Sequence, residues 1–359
     1  LCYTSGTTGN PKGALFSHRS TMIHAYASAL PDVLHMGESE VILPVVPMFH
    51  VNAWGIPYGA TMVGAKLVFP GPKLDGASIH ELLVNEGVTL AAGVPTIWLM
   101  LLAHWRETSS NAPSLKRTVI GGSACPESMI REFQDDYGVE VRHAWGMTET
   151  SPLGAISIPK PSMTDETKRL RLQAKQGRPV FGVEMRITDD AGKPLPHDGK
   201  AFGDLQVRGP WVIDNYFKME ESEAHDAEGW FATGDVATID PEGYMEITDR
   251  SKDVIKSGGE WISSIEIENL AMGHPDVAQA AVIGVPHPKW DERPLLVIVP
   301  AEGKTPSHAE MTAFLSDKLA KWCLPDDTVY IDALPLGATG KILKTELRAQ
   351  FGDHQLPEA

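Results

Sequence analysis

The segment from Tyr3 to Gly13 holds three glycines, four Ser/Thr hydroxyls and one lysine. Gly6, Gly9 and Gly13 leave no Cβ between backbone N–H groups and an approaching phosphate oxygen. The hydroxyls of Thr4, Ser5, Thr7 and Thr8 add donors, and Lys12 adds charge. Such a loop cradles a polyphosphate. Its Pro-Lys-Gly order, with no Ser/Thr after a Gly-Lys pair, separates it from a Walker A loop. In Trp145-Gly-Met-Thr-Glu-Thr150 an aromatic beside Gly146 offers a flat base a stacking face. Glu149 offers Mg²⁺ a hard oxygen, while Thr148 suits a helix N-cap. The run from Asp249 to Glu260 carries Arg250, Lys252 and Lys256 with two glycines. That composition fits a swivel touching phosphate and, equally, a solvated charged turn. Lys341 lies in a Gly-flanked loop, where a lysine is ordinarily just solvated. Gly121-Gly122 reads as a turn as readily as a site, Asp235 as a strand-end carboxylate, and His50 and Trp54 as core residues.

These residues need elements to position them. Ser17 is placed to cap a helix with Met22, Ala25, Tyr26 and Ala29 on one face. Apolar runs predict strands at 41–46, 66–69, 88–92, 117–120 and 139–145, with helices at 79–85, 95–105 and 127–137 between them. Repeated strand–helix–strand units make a parallel sheet whose ligands bind outside the carboxyl ends of the strands. The turns at Gly121 and Gly146 fall there. Residues 176–248 read as β-rich, with alternating strands at 183–187 and 204–208 and a hairpin turn at Asp240-Pro-Glu-Gly243. Beyond them a helix at 265–272, strands at 278–285 and 295–299, and a helix at 309–322 form a smaller unit. The fold class expected is α/β: a parallel helix-covered sheet plus a β-rich subdomain, followed by a small mobile α+β C-terminal domain. The expected division is a large domain at 1–248 (1–175 α/β, 176–248 β-rich) and a small one at 249–359, hinged at 249–253. Because the chain runs from Leu1 straight into the Tyr3 loop, an N-terminal subdomain is expected to precede it.

Composition narrows the class. The 359 residues are 42 % hydrophobic with a formal charge of −16 and a pI near 5.2, which argues against a nucleic-acid partner, since phosphate contacts need a basic face. No apolar run approaches the ~20 residues that span a bilayer. Cys2, Cys125 and Cys323 lie far apart, without disulfide or metal spacing, as in a reducing, cytoplasmic setting.

The Tyr3–Gly13 loop resembles the phosphate loop of the adenylate-forming superfamily, which comprises acyl-CoA synthetases, luciferases and peptide-synthetase adenylation domains. The remaining motifs follow in that family's order across essentially the whole chain. The resemblance implies ATP, Mg²⁺ and coenzyme A as cofactors and a small-molecule carboxylic acid as substrate. It assigns Thr4–Gly9 and Lys12 to the phosphates, and Thr7 and Glu149 to the metal. Gly121, Gly122 and the 145–148 stretch (Trp145, Gly146, Met147, Thr148) lie at the adenine. Most members have Tyr at the Trp145 position, a departure that keeps the aromatic. Asp235 takes the ribose hydroxyls with Arg250 close by, Lys252 is the pivot, and Lys256 and Trp261 sit by the nucleotide. Ser257, Gly258 and Gly259 line the pantetheine path. His50 shields the acid, Trp54 gates the acyl pocket beside Gly121, and Lys341 bridges carboxylate and α-phosphate. The Phe49-His50…Trp54 and Ser257–Trp261 runs are similar to fatty-acyl-CoA synthetases and 3-methylthiopropionate–CoA ligases, and a homodimer is common among the bacterial fatty-acyl members. The competing readings are a nucleotide-binding module without turnover and an adenylate-former with another acceptor.

Overall fold

The structure, a computed structural model, describes residues 1–4, 11–219, 225–250, 252–258, 260–337 and 341–357. In chain order the first elements are β1 (Cys2–Tyr3), β2 (Gly13–Ala14), α1 (His18–Ala29), β3 (Val41–Pro44), the single turn α2 (Val51–Trp54), α3 (Ile56–Val63), β4 (Lys66–Leu67) and α4 (Gly76–Asn85). Then come β5 (Leu90–Gly93), α5 (Pro95–Thr108), β6 (Arg117–Gly121), α6 (Glu127–Arg131), β7 (Glu140–Gly146), β8 (Leu153–Ser157), α7 (Glu166–Ala174) and β9 (Arg178–Pro179).

Seven strands form one sheet in the order β4-β3-β5-β6-β7-β8-β9. Pairing is parallel from β4 to β7, as the strand–helix alternation predicts, but β8 and β9 join antiparallel. The physical reason is the connection. A parallel crossover needs a dozen or more residues, and the short link from Gly146 to Leu153 permits only a reversal. The core beneath the sheet holds Trp98, Trp105 and Phe133, packed edge-to-face. Helix α4 crosses α5 so closely that a Cβ on Gly76 would stand 2.2 Å from the Met100 carbonyl oxygen.

Local details depart from the sequence pattern in three places. Ser17 does cap α1, its Oγ accepting from Ser20 N–H at 2.9 Å, but the buried face is His24, Ala25, Ala27 and Ser28, and Met22 and Tyr26 are exposed. The small residues allow close packing of α1, and Met22 instead lines a cavity described below. The 127–137 helix widens after Arg131 into a π-turn over Glu132–Asp136, keeping Phe133 in the core. The 309–322 helix ends at Ser316. A separate 3₁₀ turn at Lys321–Cys323 follows, and the intervening bend returns Leu319 and Cys323 to the core that holds Leu315.

A four-stranded sheet follows in the order of β10 (Glu184–Thr188), β11 (Phe202–Arg208), β12 (Phe231–Ile239) and β13 (Met245–Arg250). The last elements are β14 (Ile255–Ser257), β15 (Glu260–Ile262), α8 (Ser264–Ala271), β16 (Val277–His287), β17 (Asp291–Pro300), α9 (His308–Ser316), β18 (Asp327–Tyr330) and α10 (Lys344–Phe351). They build a sheet ordered β15-β14-β17-β16, with β18 parallel to β17. The chain divides into two compact units, one of Leu1–Thr233 and Thr238–Glu246, the other of Gly234–Ala237 and Ile247–Ala359. Among the described residues no helix is long and apolar enough to cross a membrane.

Replacing Gly76 with Ala drives a methyl group into the α5 backbone. The expected cost is about 3 kcal/mol, read as a lower urea midpoint at unchanged slope, while Gly71→Ala, with open space around its Cα, leaves the midpoint in place.

Candidate active site

In the first unit the loop is closed at its base. Strands β1 and β2 pair antiparallel, Tyr3 opposite Gly13. Thr4 N–H donates to the Lys12 carbonyl at 2.9 Å and Lys12 N–H donates to Thr4 Oγ1 at 3.0 Å. Thr4 therefore serves loop closure with its hydroxyl oxygen. Ser5, Gly6, Thr7, Thr8 and Gly9 lie outside the described residues. The Lys12 ammonium stands 5.1 Å from the centroid of the Tyr216 ring, a cation–π arrangement.

Tyr216 is a residue that sequence reasoning missed, because a lone Tyr before a Phe-Lys pair carries no motif. It is 5 % exposed, forms a bridge with Ala14, and its hydroxyl donates to Glu149 Oε1 at 2.7 Å. Burial, and then the Glu149 carboxylate, push the Tyr216 hydroxyl far above its ordinary pKa, so it remains a donor. Lys12, Tyr216 and Glu149 thus form one continuous group, and Glu149 is fixed further by Ile213 N–H donating to its carbonyl at 2.9 Å.

Glu149 sits on a turn that only certain residues permit. A Cβ at Gly146 would lie 2.0 Å from the Pro152 carbonyl oxygen, and Met147 N–H donates to that same oxygen at 3.1 Å. The 3₁₀ turn Thr148–Thr150 is closed by Thr150, whose Oγ1 accepts from Met147 N–H at 3.0 Å; Thr148 is inside the turn and not its cap. Trp145 is 7 % exposed and lies against the bare Cα of Gly154, so part of its ring is committed to packing.

Gly121 ends β6, and a Cβ there would come 2.9 Å from the Ala144 carbonyl oxygen and 3.2 Å from the Trp54 ring. Gly122 follows at φ +86°, a conformation glycine adopts freely. The Trp54 ring therefore packs against the bare Cα of Gly121. His50 is half-buried and begins the turn that delivers Trp54. That turn is left-handed: Val51, Asn52, Ala53, Trp54 and Gly55 have φ of 40°, 48°, 51°, 59° and 72°. Four consecutive L-residues here cost roughly 1–2 kcal/mol each, offset by burial of Val51 and Ala53 and by the Cys2 thiol donating to Asn52 Oδ1 at 3.3 Å. Beneath it His24, held near pKa 4 by burial, accepts Leu153 N–H at 3.2 Å. A cavity of about 320 Å³ between α1 and this turn is lined by Met22, His24, Asn52 and Tyr58, among others.

The second unit carries its own group. Asp235 on β12 pairs with Arg250 on β13 at 3.8 Å. The Lys341 carbonyl lies at the foot of a hairpin whose residues 338–340 are outside the described residues: Leu336 bridges Ile342, and Gly337 N–H donates to the Lys341 carbonyl at 2.8 Å. Burial and the Arg250 guanidinium bring the Lys341 pKa down to about 8, with Asp235 pulling the other way. Lys252 is exposed, and its carbonyl accepts from Arg348 at 3.4 Å. The Lys256 ammonium stands 5.8 Å from the Trp261 ring centroid. Ser257 is buried, its Oγ accepting from Arg293 Nη1 at 3.1 Å, so its side chain is committed to the fold. Gly258 has φ +58°, and a Cβ there would be 2.7 Å from the Trp290 ring. Trp290 is a second neighbour the sequence did not announce. Gly259 lies outside the described residues.

Comparison with known proteins bears on this arrangement. The AMP-binding enzyme profile matches residues 1–217, and the AMP-binding enzyme C-terminal domain profile matches 266–341. The chain belongs to the AMP-binding enzyme family. It is 60 % identical over 355 residues to 3-methylmercaptopropionyl-CoA ligase of Ruegeria lacuscaerulensis, covering 98 % of this chain and 66 % of that protein. It is 54 % identical to medium-chain-fatty-acid–CoA ligase of Ectopseudomonas oleovorans, over 98 % of this chain and 65 % of the relative. Among solved structures, ATP-bound MatB from Rhodopseudomonas palustris aligns with a TM-score of 0.85 at 30 % identity, over 98 % of this chain and 68 % of that one. The chain thus spans about two thirds of the length of the curated relatives it matches. The fold is that of the adenylate-forming enzymes: the mixed α/β unit and the separate C-terminal sheet that the motifs led us to expect.

For this AMP-binding enzyme the Tyr216–Glu149 bond is the testable centre of the first unit. Tyr216→Phe leaves a buried carboxylate oxygen without its donor, an expected loss of about 1–3 kcal/mol in chemical denaturation. Tyr3→Phe, at an exposed ring, is expected to cost nothing measurable.

Proposed function

We propose that this chain is the greater part of an AMP-forming acid–CoA ligase. The reading rests on one observation above others: Lys341 is held within electrostatic reach of Asp235 and Arg250, in a chain 60 % identical to a 3-methylmercaptopropionyl-CoA ligase. The acid is 3-methylthiopropionate or a medium- to long-chain fatty acid, in keeping with the names of the relatives. The enzyme works as a homodimer in the cytosol, and its small domain (249–359) turns on the 249–253 hinge relative to the large one (1–248).

In the first half-reaction a carboxylate oxygen attacks the α-phosphorus of ATP, the P–O bond to the β-phosphate breaks, and pyrophosphate leaves. Lys341 in its charged form neutralises the negative charge that gathers between carboxylate and α-phosphate. Lys12 and the loop that β1 and β2 close hold the phosphates, Trp145 to Thr148 receive the adenine, and Asp235 accepts from the ribose hydroxyls. A magnesium ion would suit the hard, buried Glu149 carboxylate that Tyr216 orients, with Thr7 as the second residue that would hold it. It would supply screening of the phosphate charge. His50 and Trp54 exclude water from the acid. In the second half-reaction the CoA thiolate attacks the acyl carbon, the acyl–phosphate bond breaks, and AMP leaves with the electron pair. Gly258 and Gly259 present bare backbone to the pantetheine arm. Positioning and charge neutralisation carry the catalysis, without a protein nucleophile.

Two measurements test this. Full-length protein with MgATP, CoA and 3-methylthiopropionate or octanoate is expected to form the thioester, and Lys341→Ala to lose at least about a hundredfold in adenylation, the loss of one preorganised charge. Nucleotide binding with no thioester from any acid between acetate and palmitate would refute the ligase in favour of a nucleotide-binding module. The second measurement is pH. Lys341 is charged below about 8 and neutral above it, so pyrophosphate release is expected to fall as pH rises through that value. In Lys341→Arg, which keeps its charge, any residual rate should show no such fall.

A further inference from the structure

Four polar side chains of the second unit, two of them buried and two half-buried, are joined in one line. Lys344, the first residue of α10, donates from Nζ to Ser264 Oγ at 2.5 Å and pairs with Glu268 Oε1 at 2.7 Å. Ser264, the first residue of α8, donates from Oγ to Asp249 Oδ2 at 2.6 Å, and its N–H donates to the same oxygen at 2.7 Å. Asp249 and Ser264 are 1 % and 0 % exposed. Both ends of this line matter. Asp249 is the penultimate residue of β13, just ahead of Arg250, and Lys344 follows three residues after Lys341 at the foot of its hairpin. Arg348 ties the same two segments again, its Nη2 donating to Asp253 Oδ1 at 2.6 Å. Buried polar groups joined this way are costly to break and hold a single geometry.

We propose that Ser264 and Lys344 are positioning residues that clamp the Lys341 hairpin and the 249–253 segment to the start of α8, so that lysine and hinge move as one body. The inference rests on the reading of Lys341 as the adenylation lysine and of 249–253 as the hinge. Its physical content is that Lys341 and Lys344 share one short stretch of chain, tied to Gly337 at the hairpin foot. Lys344 in turn is held by the Glu268 carboxylate and by a hydroxyl whose proton is already committed to Asp249. Loosening that hydroxyl should blur where the Lys341 ammonium stops without changing the nucleotide contacts of the other unit.

The test uses full-length wild type, Ser264→Ala, Lys344→Met and Lys344→Arg. Adenylation is read as pyrophosphate release with 3-methylthiopropionate, thioester formation is read separately from supplied acyl-adenylate and CoA, and amide exchange is followed over 247–255 and 335–343. For Ser264→Ala, kcat of adenylation is expected to fall about tenfold, with KM for ATP and the thioester step within about twofold, a loss typical of misplaced reacting groups. Exchange is expected to quicken in both segments together while β16 and β17 keep their protection. Lys344→Met should do the same more strongly and Lys344→Arg should restore most of the rate. Equal losses in both half-reactions, quickened exchange in one segment only, or loss of protection through the whole sheet would overturn the clamp. A wild-type protein inactive in both half-reactions would instead overturn the ligase reading, and the exchange arm would still decide the coupling.

Discussion

The hydrogen bond from the Tyr216 hydroxyl to Glu149 joins three pieces of chain that are distant in sequence: the strand β2 behind the loop, the turn after β7, and the segment that bears Tyr216. A carboxylate this deeply buried needs a donor, since an ionised oxygen taken from water without a partner is among the costliest groups a fold can hold. Tyr216 supplies it while its ring lies beneath the Lys12 ammonium. The same residue therefore orders the acidic and the basic member of the site. Among the described residues this bond is the side-chain link that the Glu149 carboxylate makes to the segment bearing Tyr216.

Around that bond the site is made by close approach. Gly146 against Pro152, Gly154 against Trp145, and Gly121 against Ala144 and Trp54 are places where a single methyl group has no room. The carboxyl ends of β6 and β7 are thereby drawn inward, which is where an open α/β sheet receives its ligands. The charged members sit differently. Asp235, Arg250 and Lys341 interact within the second unit at longer range.

The sequence was readable where local chemistry decides structure. Strand β6 before Gly121, strand β7 before Gly146 and the Ser17 cap all follow from residue type and spacing. What escaped was set by tertiary context. The reversal of β8 and β9 depends on the length of one link, and the buried side of α1 on what lies opposite it. Tyr216 and Trp290 carry no motif, and their importance exists only once folding brings Glu149 and Gly258 to them. The line from Asp249 through Ser264 to Lys344 was equally silent, because Ser264 reads as an ordinary residue at the start of a helix. Ser257 was legible as part of a glycine run but not as a buried partner of Arg293.

The left-handed turn from Val51 to Gly55 bears on how the acid pocket of the proposed function would diversify. A right-handed helical turn tolerates exchange of its side chains one at a time, since each leaves the backbone where it was. Here the unusual hand is held in part by what Val51, Asn52 and Ala53 bury or bind, so a change at any of them threatens the direction in which Trp54 points. Gly121, which the Trp54 ring packs against, has no room for a methyl group either. Under the proposed function, a library aimed at new acids should leave residues 51–54 and Gly121 fixed and vary side chains farther out.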